Sequence, residues 1–246
     1  MILGGFQKLT LLDYPGKIAT TVFTVGCSFR CPFCHNPELV DLRLVHNEES
    51  EKNFFEFLNK RIGKLEGVCI TGGEPTIQPD IIEFIKKIKA LGFLVKLDSN
   101  GTRPDVLKKI ISQKIVDYIA MDIKSSLDKY DEATGSKVPA STRGNGCSST
   151  RGWDVDRIRL SVNLIRNSKI PYEFRTTVVP GLHTEDDFVE IAKWINGAEA
   201  YYLQEYREEQ KILDPNLKQK TKGQKIDLEK IKKMIEHNFK KIEIRR

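Results

Sequence analysis

The sequence predicts an α/β fold, and within that class a partial, open (β/α)6 barrel. Three observations carry the prediction. Short β-branched and apolar runs alternate with amphipathic segments from one end of the chain to the other, the rhythm of parallel strands joined by helical crossovers. The rhythm repeats six times, two units short of a closed (β/α)8 barrel. Uncommon polar groups fall just beyond the C-terminal ends of five of the predicted strands, which in a barrel is the catalytic face.

The first strand reads Ile18 to Val25, with Cys27, Cys31 and Cys34 after it, then a helix in which Phe54, Phe57, Leu58 and Ile62 recur at helical spacing. The second strand, Val68 to Thr71, runs into Gly72-Gly73-Glu74-Pro75, and its helix carries Ile81, Ile82, Ile85 and Ile88 on one side. The third, Phe93 to Leu97, leads to Asp98-Ser99-Asn100-Gly101 and a helix opened by Pro104, whose missing N–H costs nothing in a first turn. The fourth, Val116 to Met121, ends in Asp122 and Lys124. A helix with Ile158, Val162 and Ile165 in register precedes the fifth, Tyr172 to Val179, which His183 follows. Thr184 is the expected N-cap of a helix bearing Phe188, Ile191, Ala192 and Ile195. The sixth strand, Ala200 to Leu203, and a last helix, Ile226 to His237, complete the count.

With 246 residues, 39% of them hydrophobic, the chain suits a single domain spanning 1–246. Its one compositional break is Pro139 to Gly152, rich in Ser, Thr, Gly and Arg, expected as an irregular surface insertion. No apolar run approaches the roughly 18 residues that span a bilayer, and the start lacks a signal-peptide pattern, so a cytoplasmic protein with no membrane partner is expected. The formal net charge is +6, but lysines alternate with glutamates, as from Glu229 to Glu236, which reads as a solvated helix face rather than a nucleic-acid patch.

Five cysteines, three of them within eight residues, do not make a disulfide framework; they point to a metal centre. The cluster Cys27-Ser28-Phe29-Arg30-Cys31-Pro32-Phe33-Cys34 has C-x3-C-x2-C spacing. Thiolates ligate iron–sulfur clusters, and three of them on a four-iron cube leave one iron open to a small molecule. The alternative is a zinc-stabilised binding module without catalysis, using His35 as fourth ligand; His35 directly follows Cys34, which strains a tetrahedron, and no second C-x-x-C lies downstream. Cys69 reads as a buried small hydrophobe, and Cys147 lies in the insertion without an assigned role.

These residues together resemble the radical S-adenosylmethionine (radical SAM) superfamily, over nearly the whole chain except the insertion. The resemblance implies a barrel of that superfamily's type, one [4Fe-4S] cluster on Cys27, Cys31 and Cys34, and S-adenosylmethionine as cofactor. It implies that Phe33 packs near the adenine and that Gly72, Gly73 and Glu74 receive the cofactor's amino group. It also implies that Asp98, Ser99, Asn100, Asp122 and Lys124 contact its ribose or carboxylate, directly or through a cation; His183 matches the pattern less closely. Each has a plainer reading, such as a turn at Asn100-Gly101 or a surface pair at Asp122 and Lys124, and their common position on one face favours the functional one.

The extended run Cys31-Pro32-Phe33-Cys34-His35-Asn36-Pro37-Glu38 narrows the resemblance to activases of glycyl-radical enzymes. Within these, Leu11-Leu12-Asp13-Tyr14-Pro15-Gly16-Lys17 is most similar to activating proteins of anaerobic ribonucleoside-triphosphate reductase. By that resemblance the chain uses a 5′-deoxyadenosyl radical to take a hydrogen from a backbone glycine of a partner enzyme. It implies two partners, that glycyl-radical enzyme and a one-electron donor such as flavodoxin or ferredoxin. The alternative within the superfamily acts on a small molecule or nucleotide, as a 7-carboxy-7-deazaguanine synthase does.

Overall fold

A computed structural model describes residues 1–41, 50–135, 155–207, 209 and 211–246. In chain order it contains β1 (Leu3–Thr10), β2 (Ala19–Thr24), α1 (Glu51–Asn59), β3 (Gly67–Gly72), α2 (Ile81–Ala90), β4 (Leu94–Ser99), α3 (Pro104–Ser112), β5 (Tyr118–Asp122) and α4 (Tyr130–Thr134). There follow α5 (Val155–Arg166), β6 (Tyr172–Val178), α6 (Glu185–Trp194), β7 (Tyr201–Glu205), α7 (Pro215–Thr221), α8 (Leu228–Ile235) and β8 (Ile242–Arg245).

The strands form one sheet in the order β1 to β8. From β2 to β8 every neighbour is parallel, whereas β1 runs antiparallel to β2, and β1 and β8 are the two unjoined edges. The six expected βα units are present, and the count is corrected by a strand at each edge. Gly4, Gly5, Gln7 and Lys8 hide the period-two pattern of β1, and four-residue β8 is too short to show one. The insertion at 139–152 and Cys147 lie outside the described residues.

Each crossover helix buries the apolar face that its sequence announces, such as Phe84, Ile85 and Ile88 of α2 and Phe188, Ile191 and Ala192 of α6. Ser50 caps α1 by accepting from the Asn53 N–H at 3.0 Å, and Thr184 and Asp187 form a capping box on α6. α1 stops at Asn59, so Ile62 lies beyond it and is 52% exposed. The alternation of the strands sends Val95 and Leu97 of β4 outward to the helices and Lys96 and Asp98 into the barrel. The interior is therefore charged at its centre. No helix among the described residues is long and apolar enough to cross a membrane.

Candidate active site

The loop after β2 carries the three cysteines and is anchored by backbone at both stems. The Gly26 N–H donates to the Leu39 carbonyl at 2.8 Å and the Cys27 N–H to that of Val40 at 3.2 Å. Between the stems, the Cys34 N–H closes a turn onto the Cys31 carbonyl at 3.0 Å, and the Arg30 N–H reaches the Thr134 carbonyl at 2.8 Å. Cys27, Cys31 and Cys34 all line one cavity of about 360 Å³, a size suited to a small ligand. Burial pushes the Cys27 thiol up to about 11 and the Cys31 thiol to about 12, and raises that of Cys34; in each case the Lys124 ammonium pulls the other way.

Glycines hold the next segment against this loop. A Cβ on Gly73 would stand 2.0 Å from the Gly26 carbonyl oxygen, and one on Gly72, whose φ is +112°, would stand 2.5 Å from the Thr24 backbone. The glycine pair is required because two stretches of protein backbone touch here, which the motif alone does not distinguish from close approach to a ligand. The Glu74 N–H then donates to the Gly26 carbonyl at 2.8 Å. The Glu74 carboxylate is fully buried and Oε1 accepts from the Thr76 N–H (3.0 Å), the Thr76 hydroxyl and the Ser99 hydroxyl (2.9 Å). Oε2 accepts from the Asn100 N–H (2.5 Å) and keeps a second lone pair. Burial raises the Glu74 pKa against the pull of these donors.

Asn100 links the strand end to the cysteines. Its Nδ2 donates to Ser28 Oγ at 3.0 Å and to Cys27 Sγ at 3.7 Å, while its Oδ1 accepts from the Thr102 N–H and hydroxyl.

The wall formed by β4, β5 and β6 is a strip of alternating charge. Lys96 is paired with Asp98 Oδ1; Arg175 NH1 lies 3.1 Å from Asp98 Oδ2 and its Nε 2.8 Å from Asp122 Oδ1; Lys124 Nζ lies 3.0 Å from Asp122 Oδ2. Burial alone would raise both aspartates, but Arg175 with Lys96 or Lys124 outweighs it and holds both below the ordinary carboxylate range. Burial opposes the Lys124 charge too, yet Asp122 and the neighbouring thiols lift its pKa above that of an ordinary lysine. Below the strip, the buried Glu173 carboxylate accepts two bonds from Arg245, each 2.8 Å, and one from the Tyr118 hydroxyl at 3.0 Å.

Of the residues singled out in the sequence, Cys27, Cys31, Phe33, Cys34, Gly72, Gly73, Glu74, Asp98, Ser99, Asn100, Asp122 and Lys124 all border this cavity. His183 does not. It is buried behind Lys124, where Nδ1 accepts from the Val179 N–H at 3.0 Å, so Nε2 carries the proton and donates to the Lys124 carbonyl at 2.9 Å. Burial lowers its pKa and keeps it neutral. Sequence reading missed Lys96, Arg175, Ser28 and Asp13, whose Oδ2 accepts from Thr21 at 2.5 Å. Charges spaced by two within apolar strands, Lys96 with Asp98 and Glu173 with Arg175, were the available signal of a charged barrel interior.

His35, the fourth ligand of the zinc alternative, also borders the cavity; its ring lies against Tyr206, with centroids 5.6 Å apart, and among the described residues its buried Nε2 has no hydrogen-bond partner. Among the described residues no three Cys, His, Asp or Glu side chains converge on a single ion-sized point.

Comparison with known proteins agrees with this geometry. The profile of the Radical SAM superfamily matches residues 21–195. A Methanocaldococcus jannaschii protein provisionally named a glycyl-radical enzyme activating enzyme is 32% identical over 207 residues, 83% of this chain and 80% of the relative. A pyruvate formate-lyase-activating enzyme of Listeria monocytogenes is 37% identical over 131 residues, 48% of this chain and 51% of the relative. Among solved structures, Streptococcus suis SuiB bound to S-adenosylmethionine is similar with a TM-score of 0.62 at 14% identity, over 91% of this chain. The likeness to SuiB is one of fold, and the matched part is 49% of the SuiB chain.

Proposed function

This chain belongs to the radical SAM superfamily, and we propose that within it the chain is an activase that generates a glycyl radical on a partner enzyme, an anaerobic ribonucleoside-triphosphate reductase. Its cofactors are a [4Fe-4S] cluster and S-adenosylmethionine. The observation that carries the proposal is convergence: three cysteines, the Gly72–Glu74 turn and the charged strip reach one cavity from the C-terminal ends of β2 to β6. The activase assignment draws on the relatives named for that activity and on the Cys31–Glu38 run.

In this reading Cys27, Cys31 and Cys34 hold the cluster. Bound there, cluster and cofactor together supply one-electron cleavage of the sulfonium and radical hydrogen abstraction. The protein's own work is positioning. Lys124 offers the cofactor's carboxylate a cation that Asp122 keeps charged, and His183 fixes the Lys124 backbone from behind. Glu74 presents the free lone pair of Oε2 to an amino group, held still by four donors. Asp98, Ser99 and Asn100 frame the ribose, and Phe33 offers an aromatic face to the adenine.

The test begins with anaerobic reconstitution with iron and sulfide, followed by electron paramagnetic resonance of the reduced protein with and without S-adenosylmethionine. A [4Fe-4S] signal that shifts with the cofactor and is lost in Cys31→Ala is expected. Incubation with the reductase should then yield a glycine-centred doublet. No doublet, with a small substrate consumed instead, would sink the activase assignment and leave the cluster standing.

A further inference from the structure

Asp98 and Asp122 lie on neighbouring strands, and a side chain from a third strand joins them. In the register of the sheet Asp122 of β5 faces Arg175 of β6, whereas Asp98 of β4 faces Ala120 of β5. Tyr118, Ala120 and Asp122 share one face of β5, so the small Ala120 side chain leaves the diagonal from Arg175 to Asp98 open. Arg175 is long enough to use it. Its Nε donates to Asp122 Oδ1 at 2.8 Å and its NH1 to Asp98 Oδ2 at 3.1 Å, and all three residues border the cavity.

All four carboxylate oxygens of the pair are thereby engaged. Lys96 takes Asp98 Oδ1, Lys124 takes Asp122 Oδ2 at 3.0 Å, and Arg175 takes the other oxygen of each. Three cations against two carboxylates leave the strip one positive charge in excess. Glu173, whose Oε1 lies 3.9 Å from Arg175 NH1, is already neutralised by Arg245. The family resemblance allows Asp98 and Asp122 to reach the cofactor directly or through a cation. A metal ion joining two carboxylates needs oxygen ligands turned toward it and negative charge left to neutralise. Here each oxygen is turned to an N–H, the charge is already over-compensated, and among the described residues no third Cys, His, Asp or Glu converges with the pair. A metal ion does not fit this site; the guanidinium stands between the carboxylates.

We propose that Arg175 is the built-in counter-ion of the cofactor site, a positioning residue that joins Asp98 to Asp122, so that S-adenosylmethionine binds without any metal cation besides the cluster. This rests on the reading that the cavity takes S-adenosylmethionine. A guanidinium is always charged and presents its donors in a rigid plane, so it holds both carboxylates at once, where a lysine ammonium would be a single point charge. The positive charge in excess is the complement of one ligand carboxylate.

The test titrates S-adenosylmethionine into the full chain, reconstituted under anoxia, and reads affinity from the shift of the reduced-cluster signal in electron paramagnetic resonance. Deazaflavin photoreduction avoids the sodium of dithionite, and tetramethylammonium chloride, whose cation is too large to sit between two carboxylates, supplies the ionic strength. Replacing it with KCl, NaCl or MgCl2 at matched ionic strength should leave the wild-type affinity within about twofold. Arg175→Ala leaves room for an ion. Its affinity should fall about tenfold or more in tetramethylammonium chloride, and KCl, NaCl or guanidinium chloride at low concentration should restore it, which a merely structural loss would not show. Arg175→Gln decides the matter if the alanine variant assembles no cluster. Thermal unfolding reads the same site without the cofactor: KCl in place of tetramethylammonium chloride should raise the midpoint of the variant and leave that of the wild type unchanged. A wild-type affinity that rises about tenfold with a metal cation overturns the proposal. So does a variant that binds as the wild type does in every salt, or one whose lost affinity none of the three cations restores. A cluster signal that S-adenosylmethionine shifts in no salt defeats the reading of the cavity itself and takes this proposal down with it.

Discussion

The cysteine loop and the charged strip border the same cavity and are held there by different physics. The loop is a local object: Gly26 to Val40 closes on itself through backbone hydrogen bonds, and its cysteines lie four and three positions apart. The strip is assembled from β4, β5 and β6, and its central contacts, Arg175 to Asp122 and to Asp98, join residues 53 and 77 positions apart. A loop of the first kind fails when its backbone is crowded. A strip of the second kind fails when one charge is removed, because the remaining buried ions lose their neutralising partners.

The largest effect that separates the two is expected from Arg175→Met. It leaves Asp98 and Asp122 without their shared cation and should cost about 3–5 kcal/mol in denaturant unfolding. The cysteine loop should still assemble a cluster, because none of its anchors involves Arg175. The aspartates add a pH signature. Both are held below the usual carboxylate range, so their contribution is fully present above the unfolded aspartate pKa of about 3.9 and is lost as pH falls through the lower folded values. Wild-type stability should thus drop more steeply between about pH 4 and pH 2 than that of Arg175→Met. Equal slopes would show that the strip is not electrostatically coupled.

Gly73→Ala probes the other wall. Its Cβ would stand 2.0 Å from a backbone oxygen that cannot rotate away, so the Gly72–Glu74 turn must move off the loop. About 3 kcal/mol of destabilisation is expected, together with an altered cluster spectrum, which Arg175→Met should not show.

A smaller effect, about 1–3 kcal/mol, is expected from His183→Asn, which loses the bond between Nε2 and the Lys124 carbonyl. Here too pH gives the sign. Because burial depresses the folded His183 pKa, its neutral ring contributes stability above about pH 6.5 that is lost as pH falls toward the folded value. The variant should lack that loss when unfolding is followed from pH 8 to 5. Leu12→Ser is the low end of the scale. Leu12 is 88% exposed in the turn between β1 and β2, and a change within about 0.5 kcal/mol is expected by thermal unfolding.

What could be read without a structure follows the same division. The cysteine spacing, the Gly-Gly-Glu turn, the Thr184 cap and the apolar faces of α2 and α6 are set by residues within a few positions of each other. Local patterns of that kind survive in a linear sequence. Twelve of the thirteen proposed site residues border one cavity because strand ends of a parallel barrel share a face, so knowing the fold class was enough to group them. His183 shows the limit: its place after a strand is legible, whereas its ring pointing at a backbone carbonyl rather than into the cavity is decided by the packing of α6 and β6.

The chain's own sequence, then, determined the barrel class, the cysteine spacing and the loops at the strand ends that border the cavity, because periodicity and short spacings are backbone geometry written in one dimension. The tertiary structure alone decided that Arg175 bridges Asp98 and Asp122, that Gly72 and Gly73 press on protein backbone, and that β1 and β8 are the two unjoined edges of the sheet. Those facts depend on sheet register and on which strands become neighbours. Coulomb energy and steric contact act between atoms in space, and residues 77 positions apart become partners only when the sheet brings them within about 3 Å.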